Sequence, residues 1–276
     1  MAKSWTLGTD VIVFDLEDAV SPDAKEAARE ALVAQLAAAA GSRIETVVRV
    51  NSVHAPEFAS DLDAVVRARP DAVLVPKVDS ADCLGIFSDA AARACLSVQT
   101  RLWAMVETAA GLVQLDSVVK AGQSLSHRLE CLVVGTNDIV KETGVSPGDQ
   151  RAFLLPWLMH VVLVAKRYRV SVLDGVWNDF RDANGFEAEA IQAMKMAFDG
   201  KTLIHPTQVG PANRIFAPSE EAVADARRIV AAFSDPEHSS SNVLNLDGRM
   251  VERLHFEQAQ RLLAIHDRIQ TRREDS

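Results

Sequence analysis

Cysteine is scarce. Cys83, Cys95 and Cys131 are the only three in 276 residues. Their number is odd and none stands in Cys-x-x-Cys spacing. Neither a disulfide framework nor a thiolate metal site is encoded, and the three read as reduced structural thiols of a cytoplasmic protein. Long apolar runs are also missing: no stretch approaches the roughly 20 residues that a membrane helix requires. The opening MAKSWTLGTD has neither the basic start nor the apolar core of a secretory signal. Positive charge is in deficit, 29 Lys and Arg against 38 Asp and Glu, for a formal net charge of −9. This disfavours a broad electrostatic grip on nucleic acid or anionic lipid, although a local basic pocket could still hold a phosphate. No Gly-x-Gly-x-x-Gly follows any apolar run, so a dinucleotide-binding sheet is poorly supported.

What is present is an alternation. Short β-rich runs recur at 11–16, 46–51, 72–77, 102–107, 131–136, 170–175 and 202–206, most of them continuously apolar, as strands buried on both faces are. Helical stretches lie between them. After the first run, Ser21 reads as an N-cap, with Pro22 at the first helical position. Ala24, Ala27, Ala28, Ala31, Leu32 and Leu36 form an apolar stripe, and Gly41 stops the helix. Strands alternating with helices imply a parallel sheet. Polar residues close nearly every strand: Asp15, Arg49, Lys77, Glu107, Asp138, Asp174 and His205. A barrel gathers such ends into one mouth. The predicted fold is therefore a TIM-type (β/α)8 barrel over residues 1–210, showing seven of its eight strands; MAKSWTLGTD reads as the end of a helix. Residues 211–276 form a C-terminal extension. It has a helix at 218–233, a polar linker at 234–242, a hairpin turned on Asp247-Gly248 and an amphipathic helix at 255–270. This extension is too small to fold alone and is expected to pack on the barrel or on a neighbouring subunit.

Glu107 and Asp138 are the leading pair of candidate ligands. Each follows an apolar strand and adjoins a loop of small residues, and on adjacent strands both carboxylates can reach one ion. Mg2+ takes one or two carboxylates and completes its octahedron with water and substrate oxygens. The alternative is that both cap nearby backbone amides. Arg49 stands in the apolar run VVRVN and must find an anion: a substrate carboxylate or enolate oxygen, or a structural partner among Asp15, Glu17 and Asp18. Glu17 or Asp18 with His205 forms an expected orienting pair, although Asp18 also suits the start of a turn. Lys77 reads first as a salt-bridge partner, with an anion contact or a Schiff-base amine as alternatives. Gly135, Thr136 and Asn137 join Arg49 and Lys77 as candidates for substrate binding. His205 is more often a packed histidine than a ligand.

With these residues in place, the sequence resembles the citrate lyase β-subunit-like family of the HpcH/HpaI aldolase superfamily, which includes malyl-CoA and citramalyl-CoA lyases. The matching motifs are FDLEDAVSPDAK (14–25), VVRVNS (47–52), VPKV (75–78), VETAAGL (106–112), VVGTNDI (133–139), LDGVWNDFRDANGF (173–186) and GKTLIHPTQV (200–209). The resemblance implies a TIM-type barrel in a trimer or hexamer, with Mg2+ on Glu107 and Asp138 and Arg49 at the substrate. It further implies that a β-hydroxyacyl thioester, of coenzyme A or an acyl carrier protein, is cleaved to an acyl thioester and a 2-oxo acid, or formed from them. Some relatives also hydrolyse the thioester. In the thioester lyases a base comes from an Asp in a neighbouring subunit's tail, within Gly-x-Met-hydrophobic-Asp. Here the segment is Gly248-Arg249-Met250-Val251-Glu252, which puts Glu252 at that position. Relatives begin with a strand of the type Leu-Phe-Val-Pro-Gly and a basic loop for coenzyme A. This chain resembles them only from within the following helix, so the first barrel strand is expected to be absent from it. Two other readings stay open: a Mg2+-dependent pyruvate-type aldolase acting on free hydroxy-oxo acids, and a degenerate, non-catalytic barrel subunit.

Overall fold

The computed structural model describes residues 2–39, 41–235 and 242–274. The seven apolar runs become seven parallel strands: β1 (Val11–Asp15), β2 (Glu45–Arg49), β3 (Ala72–Val75), β4 (Arg101–Val106), β5 (Leu129–Val134), β6 (Ser171–Asp174) and β7 (Gly200–Lys201). They hydrogen-bond in chain order, each to the next. A doubly wound sheet reverses its order at a switch point. This sheet never reverses, which is the order of a barrel. Among the described residues no ladder joins β7 to β1, so the fold is an α/β architecture on a seven-stranded parallel sheet with two edges. The helices α1 (Lys25–Ala38), α2 (Phe58–Ala68), α3 (Ala81–Arg93), α4 (Ala109–Gly122), α5 (Thr136–Thr143), α6 (Leu155–Tyr168), α7 (Ala183–Lys195) and α8 (Val209–Phe216) follow the strands.

Alternation sorts the side chains. Val47, Ala72, Leu74, Trp103, Met105, Cys131 and Val133 pack together on one face of the sheet. Val48, Val73, Val75, Leu102, Ala104, Leu132 and Val172 are buried on the other. Arg49 and Glu107 continue the period-2 rows of Val47 and of Trp103 and Met105. The first face therefore ends, at the C-terminal ends of the strands, in charged residues.

Three local expectations are corrected. Ser21 is extended and makes no side-chain cap; Pro22 opens a short 3-10 turn (Pro22–Ala24) that runs into α1. The buried stripe of α1 is Lys25, Arg29, Leu32 and Leu36 rather than the alanines, of which Ala24 and Ala27 are exposed. The seventh strand is two residues long and precedes the run 202–206. Ile204 and His205 give their N–H groups to the Gln208 side chain, and Pro206 has none to give.

The chain divides into two compact units, residues 1–212 and 213–276. In the second, Ser219 caps α9 (Glu220–Ser234) by accepting from the Ala222 N–H. The strands β8 (Val243–Leu246) and β9 (Arg249–Glu252) form the hairpin, and α10 (Arg253–Glu274) follows. Asp247 and Gly248 both have positive φ, 54° and 83°, as a tight two-residue hairpin turn requires. Ala226, Ile229, Phe233, Val251 and Ala259 make this unit's core. Most of the expected linker, residues 236–241, lies outside the described residues.

Candidate active site

The site begins at the first strand pair. Asp15 and Arg49 are partners in the β1–β2 register, so the guanidinium lies beside the carboxylate. Nε donates to Oδ1 at 2.8 Å, and Nη2 donates to Oδ2. The same carboxylate accepts the N–H groups of Glu17 and Ala19 and fixes the turn that follows β1. Burial pushes the Asp15 carboxyl up, but Arg49 and these two N–H groups outweigh it and hold the group below the usual range. Burial likewise opposes the charge of Arg49, yet Asp15, Glu17 and Asp18 keep the guanidinium firmly protonated.

Glu17 is 5% exposed. Its Oε1 accepts from Lys77 Nζ, and its Oε2 lies 3.0 Å from Arg49 Nη1 without an aligned hydrogen bond. Burial raises its pKa, partly offset by Lys77 and Arg49. Asp18 is exposed and lies at the margin, 3.7 Å from Arg49 and 3.9 Å from Lys77. The turn is anchored from below by buried Lys25, which donates to the carbonyls of Leu16 and Glu17 and to Asn51. Asn51 in turn bonds Asp61, which Arg29 holds at 2.8 Å. The sequence reading missed this support. Its signal was a Lys and an Arg four apart on α1, on the face shared by Leu32 and Leu36.

Glu107 stands just past β4 and is 1% exposed. Its Oε1 accepts the Lys77 backbone N–H at 2.8 Å. Burial pushes its carboxyl up; the Lys77 N–H opposes this, Glu17 and Asp138 add to it, and the group sits at about 7. Gly135 is packed against it: a Cβ there would stand 2.6 Å from Glu107 Cβ and Oε2. Only glycine lets β5 turn into α5 this close to the acid. Asp138, expected at a strand end, is instead on the first turn of α5. Its charge nonetheless reaches Glu107.

The other candidates fall elsewhere. Thr136 and Asn137, with Val140, line a cavity of about 680 Å3 whose further walls include Arg151, Leu154, Trp177 and Ile191. Asn137 closes one side through a reciprocal amide pair with Asn178. Asp138 is not in this lining and points elsewhere around the helix. His205 does not join Glu17 or Asp18. Its Nδ1 bonds Thr207, and its ring stacks on Phe180 with centroids 4.6 Å apart. Glu252 ends β9 in the second unit, where its N–H donates to His255 Nδ1.

Asp15, Glu17 and Asp18 face Arg49 and Lys77, Glu107 holds the Lys77 N–H, and Asp138 adds its charge beside Glu107, with Lys25 beneath. Counted as ions, they leave a surplus of two negative charges. No cluster of three or more His, Cys, Asp or Glu suited to a metal occurs among the described residues. Two carboxylates with open positions are nevertheless the donor chemistry of a hard divalent cation, and Glu107 and Asp138 would supply them; the raised Glu107 carboxyl itself is owed first to burial.

A parallel β/α sheet in barrel order, with its charged cluster at the C-terminal strand ends, defines a barrel-type enzyme architecture. The chain belongs to the HpcH/HpaI aldolase/citrate lyase family, whose model matches residues 1–206. It is 39% identical over 265 residues to a (3S)-malyl-CoA thioesterase of Cereibacter sphaeroides, covering 96% of this chain and 89% of the relative. It is 31% identical to the citrate lyase subunit beta of Escherichia coli over 257 residues, 91% of this chain and 84% of the relative. Among solved structures it is similar to the protein CitE from Mycobacterium tuberculosis in complex with magnesium, acetoacetate and coenzyme A. That match has a TM-score of 0.76 and 28% identity, covering 97% of this chain and 93% of the other. The citrate lyase beta subunit of the same organism, complexed with oxaloacetate and magnesium, matches with a TM-score of 0.66 and 27% identity over 79% and 91% of the two chains.

Proposed function

We propose that this chain is a Mg2+-dependent carbon–carbon lyase for β-hydroxyacyl thioesters of the citryl, malyl or citramalyl type. The observation that carries the reading is the surplus of negative charge around a firmly held Arg49, with Glu107 buried, raised to about 7 and sensing Asp138. Glu107 and Asp138 would hold the ion, and the complexes of the CitE relatives with magnesium support the choice of metal. When bound, Mg2+ orients and polarises the oxygens of the hydroxy-acid portion. Arg49, pinned by Asp15, offers its remaining N–H groups to the thioester oxygen on which enolate charge develops. Gly135, packed on Glu107, is proposed at the oxo-acid end, whereas Thr136 and Asn137 line the other cavity and have no part in this scheme. Glu252 of a neighbouring copy of the chain is the proposed base, on the resemblance of its segment. The base takes the hydroxyl proton, the O–H electrons form the carbonyl of the 2-oxo acid, and the carbon–carbon bond breaks. Its electron pair becomes the thioester enolate, which is then protonated at carbon. His205 has no part in this scheme, because its ring is already engaged by Thr207 and Phe180.

A second reading keeps the ion and the substrate but hydrolyses the thioester. The 39% identity to malyl-CoA thioesterases favours it. Incubation with Mg2+ and (3S)-malyl-CoA separates the two. Equal amounts of glyoxylate and acetyl-CoA support the lyase, whereas malate and free coenzyme A thiol in equal amounts support the hydrolase. Turnover of free hydroxy-oxo acids alone would replace both with the aldolase, and no Mg2+-dependent turnover on any of these substrates would leave a degenerate barrel.

A further inference from the structure

We infer that Lys77 is a positioning residue that ties the two halves of the site together, its backbone N–H set on Glu107 and its ammonium committed to Glu17. The inference rests on the reading above for what Glu107 and Arg49 do; the contacts themselves do not.

Lys77 follows Pro76 just past β3 with φ +52°, a left-handed conformation that is unfavourable for a non-glycine residue. Such a conformation persists where surrounding contacts fix it. Here the contacts lie on both sides. The N–H points to Glu107 Oε1, beyond β4. The side chain reaches the other way, past β2, to Glu17 after β1. Glu17 in turn faces Arg49 Nη1 at 3.0 Å. One residue thus couples the proposed ion-binding acid to the proposed enolate-binding guanidinium. An ammonium surrendered to a substrate anion would leave Glu17, at 5% exposure, with only an unaligned contact to Arg49, and a buried acid stripped of its partner is strongly destabilising.

The test uses Lys77→Met, Glu17→Gln and the double variant in the full chain. Lys77→Met keeps the backbone N–H. Its Mg2+ affinity by calorimetry and its KM for the thioester are each expected within about twofold of wild type, while kcat falls by about 10- to 100-fold, the scale seen when groups that orient a ligand are removed. Glu17→Gln is expected to show the same loss, and the double variant no further loss. A KM raised tenfold or more with kcat retained would show that Lys77 binds substrate, and would overturn the inference. A urea-denaturation cycle on the same three chains needs no turnover, so it decides the matter even if the enzyme reading fails. Non-additive midpoints support the Lys77–Glu17 tie, and additive midpoints overturn it. Lys77→Gly relieves the left-handed strain while keeping the N–H, and serves for both arms if the Met variant does not fold. Its expected pattern is the same kcat loss at unchanged Mg2+ affinity.

Discussion

Two clusters of buried charge stand at the C-terminal ends of this sheet, and they are built differently. Beside β6 and β7, Asp174 is fully buried and accepts from Arg151 Nη1 with both oxygens, at 2.7 and 2.9 Å. Lys201 places its ammonium on Asp174, on the Gly175 carbonyl and on Glu189. Two cations meet two carboxylates, and the cluster closes on itself. Beside β1 to β5 the acids outnumber the cations, and Glu107, raised first by its own burial and further by Glu17 and Asp138, sits at about 7. A balanced network locks loops together; an unbalanced one has capacity left for an ion. Strand-end position is common to both clusters, so it is the charge balance that distinguishes them here.

The sharpest way to break this comparison is to remove one acid from each cluster. Glu107→Gln, which keeps the acceptor for the Lys77 N–H, or Asp138→Ala is expected to lower kcat at saturating Mg2+ by about 1,000-fold or more, with a denaturation midpoint close to wild type, because ion and substrate polarisation are lost together. Asp174→Ala is expected to do the reverse. It leaves Arg151 and Lys201 buried without their shared partner and costs about 3–5 kcal/mol in urea denaturation, while Mg2+ affinity well below the unfolding transition stays within about twofold. Equal loss of ion binding in all three variants would erase the distinction.

Gly135→Ala sharpens the comparison from the packing side. The added methyl would press on Glu107 Cβ and Oε2 at 2.6 Å and displace the acid. The expected outcome is at least a tenfold weaker Mg2+ affinity with about 1–3 kcal/mol of stability lost, read by calorimetry and urea denaturation on one sample.

Titration gives a smaller, signed effect. The Glu107 carboxyl is raised from an ordinary 4.5 to about 7 in the metal-free chain. Its contribution to stability is fully present below pH 4.5 and is lost as pH rises through about 7, a change of roughly 3 kcal/mol. The metal-free wild type should lose stability over that window relative to Glu107→Gln, and saturating Mg2+ should abolish the difference. Mg2+ affinity should accordingly rise up to about tenfold per pH unit below 7 and flatten above it. Asp15 has the opposite sign: its depressed carboxyl stabilises above its ordinary pKa, and that contribution is lost as pH falls through the depressed value. The smallest expected effect is that of His205→Gln, under about threefold in kcat/KM, since the ring is spent on Thr207 and Phe180.

Much of the fold was legible because it rests on local patterns. Apolar runs marked the strands, and Asp247-Gly248 marked the hairpin. At the site, the one-to-one register of parallel strands brings Asp15 to Arg49, as the need of an Arg in an apolar run for an anion suggested. What was not legible depends on long-range partners or on backbone conformation. Asp174 and Glu107 look alike in sequence, each closing an apolar run; only Arg151, from a distant loop, and Lys201, from the next strand, tell them apart. The left-handed turn of Lys77 leaves no trace in Val-Pro-Lys-Val. The side-chain cap by Gln208, which ends β7 early and turns His205 away, required knowing that two N–H groups would leave the ladder. The stripe of α1 was misread because alanines suit a buried face, whereas the buried Lys25 and Arg29 satisfy backbone carbonyls and Asp61.

The central claim, a divalent-ion site made by Glu107 and Asp138, is tested most directly by calorimetric titration of Mg2+ into the metal-free chain and into Glu107→Gln at pH 8. The account predicts one ion per wild-type chain and an affinity at least about 100-fold weaker in the variant. Equal affinity in both chains, or no binding by the wild type with oxaloacetate present, would contradict it.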